Sequence, residues 1–145
     1  MIVLDTTVLV YAKGADHPLR EPCRRLIEAL ATGALEATTT VEVIQEFAHV
    51  RARRFARAEA AARAGDYAEI LSPLLPVGRE QLEGGLEIFA STPGVGAFDA
   101  VLAAAALDAD ASAVVSADRA FGAVPDVHHV FPDDAGVDLL LSRPA

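Results

Sequence analysis

Among its 145 residues the sequence carries one cysteine, Cys23, and one lysine, Lys13. A lone cysteine excludes an internal disulfide and a cysteine-held zinc site, and it suits a reducing compartment such as the cytoplasm. No apolar run reaches the roughly 20 residues that span a bilayer, because Asp or Gly breaks the longest well before that length. The start, MIVLDTTVLV, has no basic segment before its apolar stretch, so neither a signal peptide nor a membrane anchor is expected. Linkers, internal repeats and low-complexity tracts are also missing. Gly94-Val95-Gly96 does not complete a G-x-G-x-x-G fingerprint after a strand, which argues against dinucleotide binding. Positive charge is scarce as well. Twelve Lys and Arg face 21 Asp and Glu, a net charge of −9. That balance argues against nucleic-acid binding through a broad basic surface.

What is present is apolar. Hydrophobic residues make up 52% of the chain, with mean hydropathy +0.32, enough for a buried core in one domain of ordinary size. Short apolar strands are expected at Met1–Leu4, Leu35–Thr38, Leu74–Val77, Ala113–Ser116 and Val127–Phe131. Between them the pattern predicts helices. The first starts at a Thr6 or Thr7 cap and stops near Gly14, and the second runs from Pro18 to Thr32. A third is capped within Thr38-Thr39-Thr40 and continues past Val50. Arg51–Ile70 reads as helix with a break near Gly65, followed by helices at Arg79–Phe89 and Phe98–Leu107. Strands without strict polar alternation, separated by helices, imply a parallel sheet covered on both faces. The expected fold class is α/β, as a single α/β/α domain.

Ligands of such sheets bind beyond the carboxyl ends of the strands. Asp5 directly follows the first strand, and Asp118 lies two residues past Ser116 at the end of another, so both should face one crevice. Asp99 is the lone acid at the start of an otherwise apolar helix, where a carboxylate gains from the helix dipole but is costly to bury unsatisfied. It either stabilises the helix start or meets a metal or hydrogen-bond partner. On the helix after the threonines, Glu46 borders the apolar arc, whereas Glu42 sits near the centre of the polar face with His49. Glu46 is therefore the candidate for chemistry and Glu42 a solvated acid. Converging carboxylates without Cys or His favour a hard divalent cation, Mg²⁺ or Mn²⁺, which suits phosphoryl chemistry.

These segments resemble the PIN-domain ribonucleases, and among them the VapC-type toxins of toxin–antitoxin pairs. The opening Met1 to Val10 is similar to a first motif in which a strand ends in Asp5 with a hydroxyl, Thr7, two places on. The stretch Thr40 to Phe47 resembles the second motif, with Glu46 as its acid. Phe98 to Ala105 resembles the third, around Asp99, and Ser116 to Phe121 the fourth, around Asp118. The motifs span residues 5–132 of one PIN-like domain over 1–145, leaving 133–145 as a C-terminal tail or helix. Two positions depart from the usual pattern: Ala120 where a further polar residue is common, and Ala97-Phe98 where an aromatic pair is. The resemblance implies a Mg²⁺- or Mn²⁺-dependent endoribonuclease. Asp5, Asp99 and Asp118 would hold the metal, Glu46 would ligate it or position water, and Thr7 and Ser116 would support the site. It also implies an RNA substrate, a homodimer and a small antitoxin whose C-terminal arm occupies the acidic groove.

Other features stay open. Arg51, Arg53, Arg54, Arg57 and Arg63 face one acid, Glu59, a local balance of +4. They are RNA contacts, antitoxin contacts, or a solvated helix with Glu59–Arg63 pairing. Without that strip the chain has 7 basic and 20 acidic residues, or −13. His17, His49, His128 and His129 are expected outside the chemistry, and Cys23 in helix packing. A haloacid-dehalogenase-like phosphatase would want a second Asp where Thr7 stands and a downstream Lys to neutralise the phosphate, but the one lysine, Lys13, comes just after the first strand. An inactive binding module would be expected to lack some of the four acids. A housekeeping RNA-processing nuclease of the same family remains as a further alternative.

Overall fold

A computed structural model describes residues 1–142 of the chain. Four short strands, β1 (Ile2–Leu4), β2 (Ala37–Thr38), β3 (Ala113–Val115) and β4 (His129–Val130), form a sheet ordered β2-β1-β3-β4. All pairings are parallel. Seven helices connect and flank them: α1 (Thr6–Lys13), α2 (Arg20–Ala31), α3 (Val41–Arg51), α4 (Arg57–Ile70), α5 (Arg79–Ser91), α6 (Ala97–Asp108) and α7 (Asp134–Leu141). Every residue of β1 and β3 is buried, as expected of parallel strands covered on both faces. Among the described residues no helix is long and apolar enough to cross a membrane.

Two secondary-structure elements depart from the sequence reading. Leu74–Val77 is not a fifth strand, and only Leu75 makes a bridge, to Thr40. Its prolines explain this: Pro73 just before it and Pro76 within it have no N–H to donate to a ladder. The Arg51–Ile70 helix breaks at residues 52–56 rather than at Gly65, which lies inside α4. Arg51 stabilises that turn. Its Nε and Nη2 donate to the Glu59 carboxylate at 2.9 and 2.6 Å, and its Nη1 donates to the Lys13 carbonyl at 3.2 Å. The ion pair therefore runs from Glu59 to Arg51, while Arg63 pairs with Asp66.

Close packing seats the helices that carry acids. The α3–α4 hairpin is closed by Phe47 against Tyr67, edge to face with centroids 4.9 Å apart, and the buried Tyr67 hydroxyl donates to the Leu9 carbonyl. Helices α5 and α6 meet at Gly85, where a Cβ would come within 2.6 Å of the Val101 side chain. Only a residue without a side chain permits that approach. Cys23 is fully buried, and burial pushes its thiol up to about 12, so it serves packing. At the C-terminal end α7 is capped by Asp133, and Arg25 of α2 pairs with Asp134 and Asp138. Residues 143–145 of the expected C-terminal tail lie outside the described residues.

Candidate active site

The sheet ends where its chemistry begins. Asp5, the residue after β1, is the N-cap of α1, a role the sequence reading gave to Thr6 or Thr7. It is 4% exposed, and one of its oxygens collects the local donors. Oδ2 accepts from Ser116 Oγ at 2.6 Å, from Thr7 Oγ1 at 2.9 Å and from the Thr7 amide at 3.5 Å. Ser116, fully buried at the end of β3, also accepts from the Asp118 amide at 2.9 Å. Thr7 Oγ1 accepts from the Ala117 amide at 3.0 Å. Two hydroxyls thus tie the ends of β1 and β3 together and fix Asp5 against the chain leading to Asp118. Asp118 is exposed and caps the following 3₁₀ turn, Oδ1 accepting from the Ala120 amide.

The opposite wall is helical. Glu46 on α3 is exposed, and its Oε2 accepts from Thr6 Oγ1 at 2.7 Å. Asp99 lies half-buried in the first turn of α6. Asp5, Glu46, Asp99 and Asp118 line one cleft of about 330 Å³ together with Thr6, Thr7, Val10, Tyr11 and Val50. No lysine or arginine is in that lining. Burial first, then the charges of Asp5, Asp118 and Glu46 and a hydrogen bond with Asp118, push the Asp99 carboxyl up to about 7.

An adjoining cleft of about 290 Å³ shares Asp5, Glu46 and Asp99 and continues between α3 and α6 over Thr40, Val43, Leu82 and Phe98. Glu42 lines this second cleft. It is exposed, as the helical-face argument expects, yet faces the groove rather than open solvent alone. A third cleft, of about 610 Å³, lies between the end of α1 and the α3–α4 turn. Arg53 and Arg54 line it, Arg51 is half-buried in its pair with Glu59, and the exposed Arg57 lies outside all three linings.

Two side chains here escaped the sequence reading. Thr6 orients Glu46, and only the doubled threonine after Asp5 hinted at a second hydroxyl. His129 Nε2 donates to the Ser116 carbonyl at 2.8 Å, and its ring stacks on Phe121. Nothing in a strand-borne His-His pair signals that contact. His128 is exposed.

Among the described residues no three Asp, Glu, His or Cys side chains are gathered tightly enough to hold a metal ion as they stand. The donor chemistry nevertheless fits a hard divalent cation: four carboxylates, two threonine hydroxyls and no cationic side chain around one cleft. The raised Asp99 carboxyl marks the same excess of negative charge.

The PIN domain family matches residues 2–127. The chain belongs to the PIN-domain family. Across its length this PIN domain is 55% identical to Ribonuclease VapC7 of Mycobacterium tuberculosis, covering 97% of this chain and 98% of that protein. It is 30% identical to Ribonuclease VapC13 of the same organism over 88% and 97%. The chain is thus a VapC-type PIN domain, the group its four motifs resemble. Among solved structures, the fold is similar to one described as VapBC2 from Rickettsia felis bound to a DNA fragment from their promoter. That match has TM-score 0.69 at 16% identity, covering 90% of this chain and 98% of the other. A structure of FitAB bound to an IR36 DNA fragment matches with TM-score 0.71 at 20% identity over 91% and 95%. PIN nucleases as a rule use a divalent metal.

Proposed function

We propose that this PIN domain is a metal-dependent endoribonuclease, the toxin of a toxin–antitoxin pair. The observation that carries the reading is the cleft lined by four carboxylates with no cationic side chain among them. Its likeness to Ribonuclease VapC7 along nearly the whole chain supports RNA as the substrate.

In this reading Asp5, Asp99 and Asp118 hold Mg²⁺, with Mn²⁺ able to replace it. When bound, such an ion neutralises charge on the phosphoryl group and makes water a better nucleophile near neutral pH. The rest is the work of the chain. Three donors hold Asp5 Oδ2, leaving Oδ1 for the cleft, and the Ala120 amide similarly directs Asp118. Thr6 orients Glu46, which takes the proton of the attacking water. Water adds to phosphorus, and the bond to the leaving nucleotide oxygen breaks. Ser116 and Thr7 keep the strand-end carboxylate still while charge moves, so little reorganisation is needed.

The partners follow from charge and exposed surface. A small antitoxin with a basic tail complements the acidic cleft and the apolar cleft beside it, which suits the −9 charge of the chain. The VapBC2 and FitAB assemblies named for the similar structures support such a partner. Leu82, Leu86 and Phe89 are exposed at helical spacing on α5, a stripe that suits a homodimer face.

The deciding experiment is cleavage of structured RNAs by the purified protein with Mg²⁺, with Mn²⁺ and in EDTA. Asp5→Asn and Asp99→Asn are compared with wild type. Cleavage that needs the cation and both aspartates is expected. Full activity in EDTA, or in either variant, sinks the mechanism.

A further inference from the structure

The third cleft combines positive charge and exposed rings beside the acidic one, in a chain that is otherwise acidic. It adjoins the acidic cleft, and Val10, Tyr11 and Val50 line both. Lys13, Arg51, Arg53 and Arg54 face a single acid, Asp16, in its lining. Glu59 neutralises Arg51, whose bond to the Lys13 carbonyl makes it a floor strut. Lys13, Arg53 and Arg54 remain exposed. On the same wall the rings of Tyr11 and His17 stack, with centroids 4.4 Å apart and planes 28° from parallel. His17 is exposed, yet its ring is not free to swing, since Nδ1 accepts from the Leu19 amide at 3.1 Å. A rigid, exposed ring on top of a stack offers a face on which a further planar ring can stack.

We propose that this cleft is a substrate subsite, in which a nucleotide flanking the cleaved bond stacks its base on His17 while Arg53 and Arg54 hold the adjoining phosphates. The inference rests on the ribonuclease reading and deepens it. Single-stranded RNA is the occupant that fits both features, because bases stack on aromatic rings and phosphates need only local cations. A basic antitoxin tail suits the acidic cleft, but three exposed cations repel it here.

The test measures binding of a fluorescent single-stranded decaribonucleotide by anisotropy in Mg²⁺, with cleavage silenced by Asp99→Asn throughout. In that background, His17→Ala should weaken binding on the order of tenfold, and His17→Phe should restore it. The Arg53→Ala/Arg54→Ala pair should lower the salt slope of log Kd by about 1.4, at about 0.7 for each phosphate no longer neutralised. His17→Ala should leave that slope unchanged. In the active protein the same substitutions should raise KM far more than they lower kcat. Circular dichroism verifies that each variant is folded.

Unchanged affinity in His17→Ala, or an unchanged slope in the arginine pair, overturns the subsite. So does retained RNA affinity with lost affinity for the cognate antitoxin, which would make the cleft a protein-binding surface. If wild type cleaves RNA while the variants bind normally, only the subsite falls. If wild type neither binds nor cleaves RNA, the nuclease reading falls with it.

Discussion

The two walls of the acidic cleft are built on opposite principles. On the strand side, Asp5 is buried and accepts from two hydroxyls and an amide, so its charge is met by donors before any ligand arrives. On the helix side, Asp99 is half-buried under the charges of the other three acids and pushed up to about 7. The difference lies in backbone geometry. Adjacent parallel strands end side by side, so residues just past β1 and β3 bond across the gap. A helix wall presents carboxylates singly, with one hydroxyl, from Thr6, for Glu46. The first wall is organised in advance. The second is where excess negative charge accumulates, and a cation would relieve it.

The largest effect expected from this contrast is a split between activity and stability. Asp5→Asn and Asp99→Asn should each lower metal-dependent RNA cleavage on the order of 100-fold or more. Their melting temperatures in EDTA at pH 8 should diverge. Asp5→Asn leaves donors mismatched in a buried site, whereas Asp99→Asn removes a charge that its surroundings disfavour. Thermal melts that place Asp99→Asn below Asp5→Asn would overturn the contrast.

Next in size is Gly85→Ala. Its Cβ would press on Val101 at 2.6 Å and displace α6, the helix that carries Asp99. A loss of about 1–3 kcal/mol in urea unfolding is expected, with cleavage reduced as well. Ser116→Ala strikes the other wall, since it removes a donor to Asp5 and the acceptor of the Asp118 amide. Its cost should be about 1–3 kcal/mol by the same measurement. Wild-type stability in Ser116→Ala would show that the strand side does not depend on that hydroxyl.

A further effect is in pH dependence. The unfolded Asp99 ionises near its ordinary 3.8, the folded one near 7, so the folded state holds the proton more tightly. Stability from this group is therefore greatest below pH 4, falls as pH rises to about 7 and levels beyond. In EDTA, the difference between wild-type and Asp99→Asn melting temperatures should change over that window and be flat above it. Cation affinity measured by calorimetry should rise across the same interval, with proton release. No difference in pH dependence between wild type and Asp99→Asn would remove the electrostatic half of the comparison.

Much of this arrangement could be read in advance because it depends on local rules. Asp5 and Asp118 follow buried strands, and parallel sheets open their crevice at those ends. Glu46 borders the apolar arc of its helix, and Asp99 is the one acid of an apolar segment. The misread elements have separate causes. Leu74–Val77 has strand composition, but Pro73 before it and Pro76 within it deny it a ladder. The helix break at residues 52–56 goes with an arginine that reaches both Glu59 and the Lys13 carbonyl. Periodicity places Glu42 toward solvent, but it cannot see that α6 builds a second cleft opposite it.

Sequence alone determined the fold class, the acidic balance and which carboxylates stand where strands and helices begin or end. These follow from hydrophobic periodicity and capping, which act over a few residues. Only the tertiary structure decided which donors meet each acid, that Arg51 is a strut while Arg53 and Arg54 stay exposed, and that Tyr11 and His17 stack beside the acids. Those pairings join residues distant in the chain, such as Asp5 with Ser116 and Thr6 with Glu46, and packing alone brings them within hydrogen-bond range.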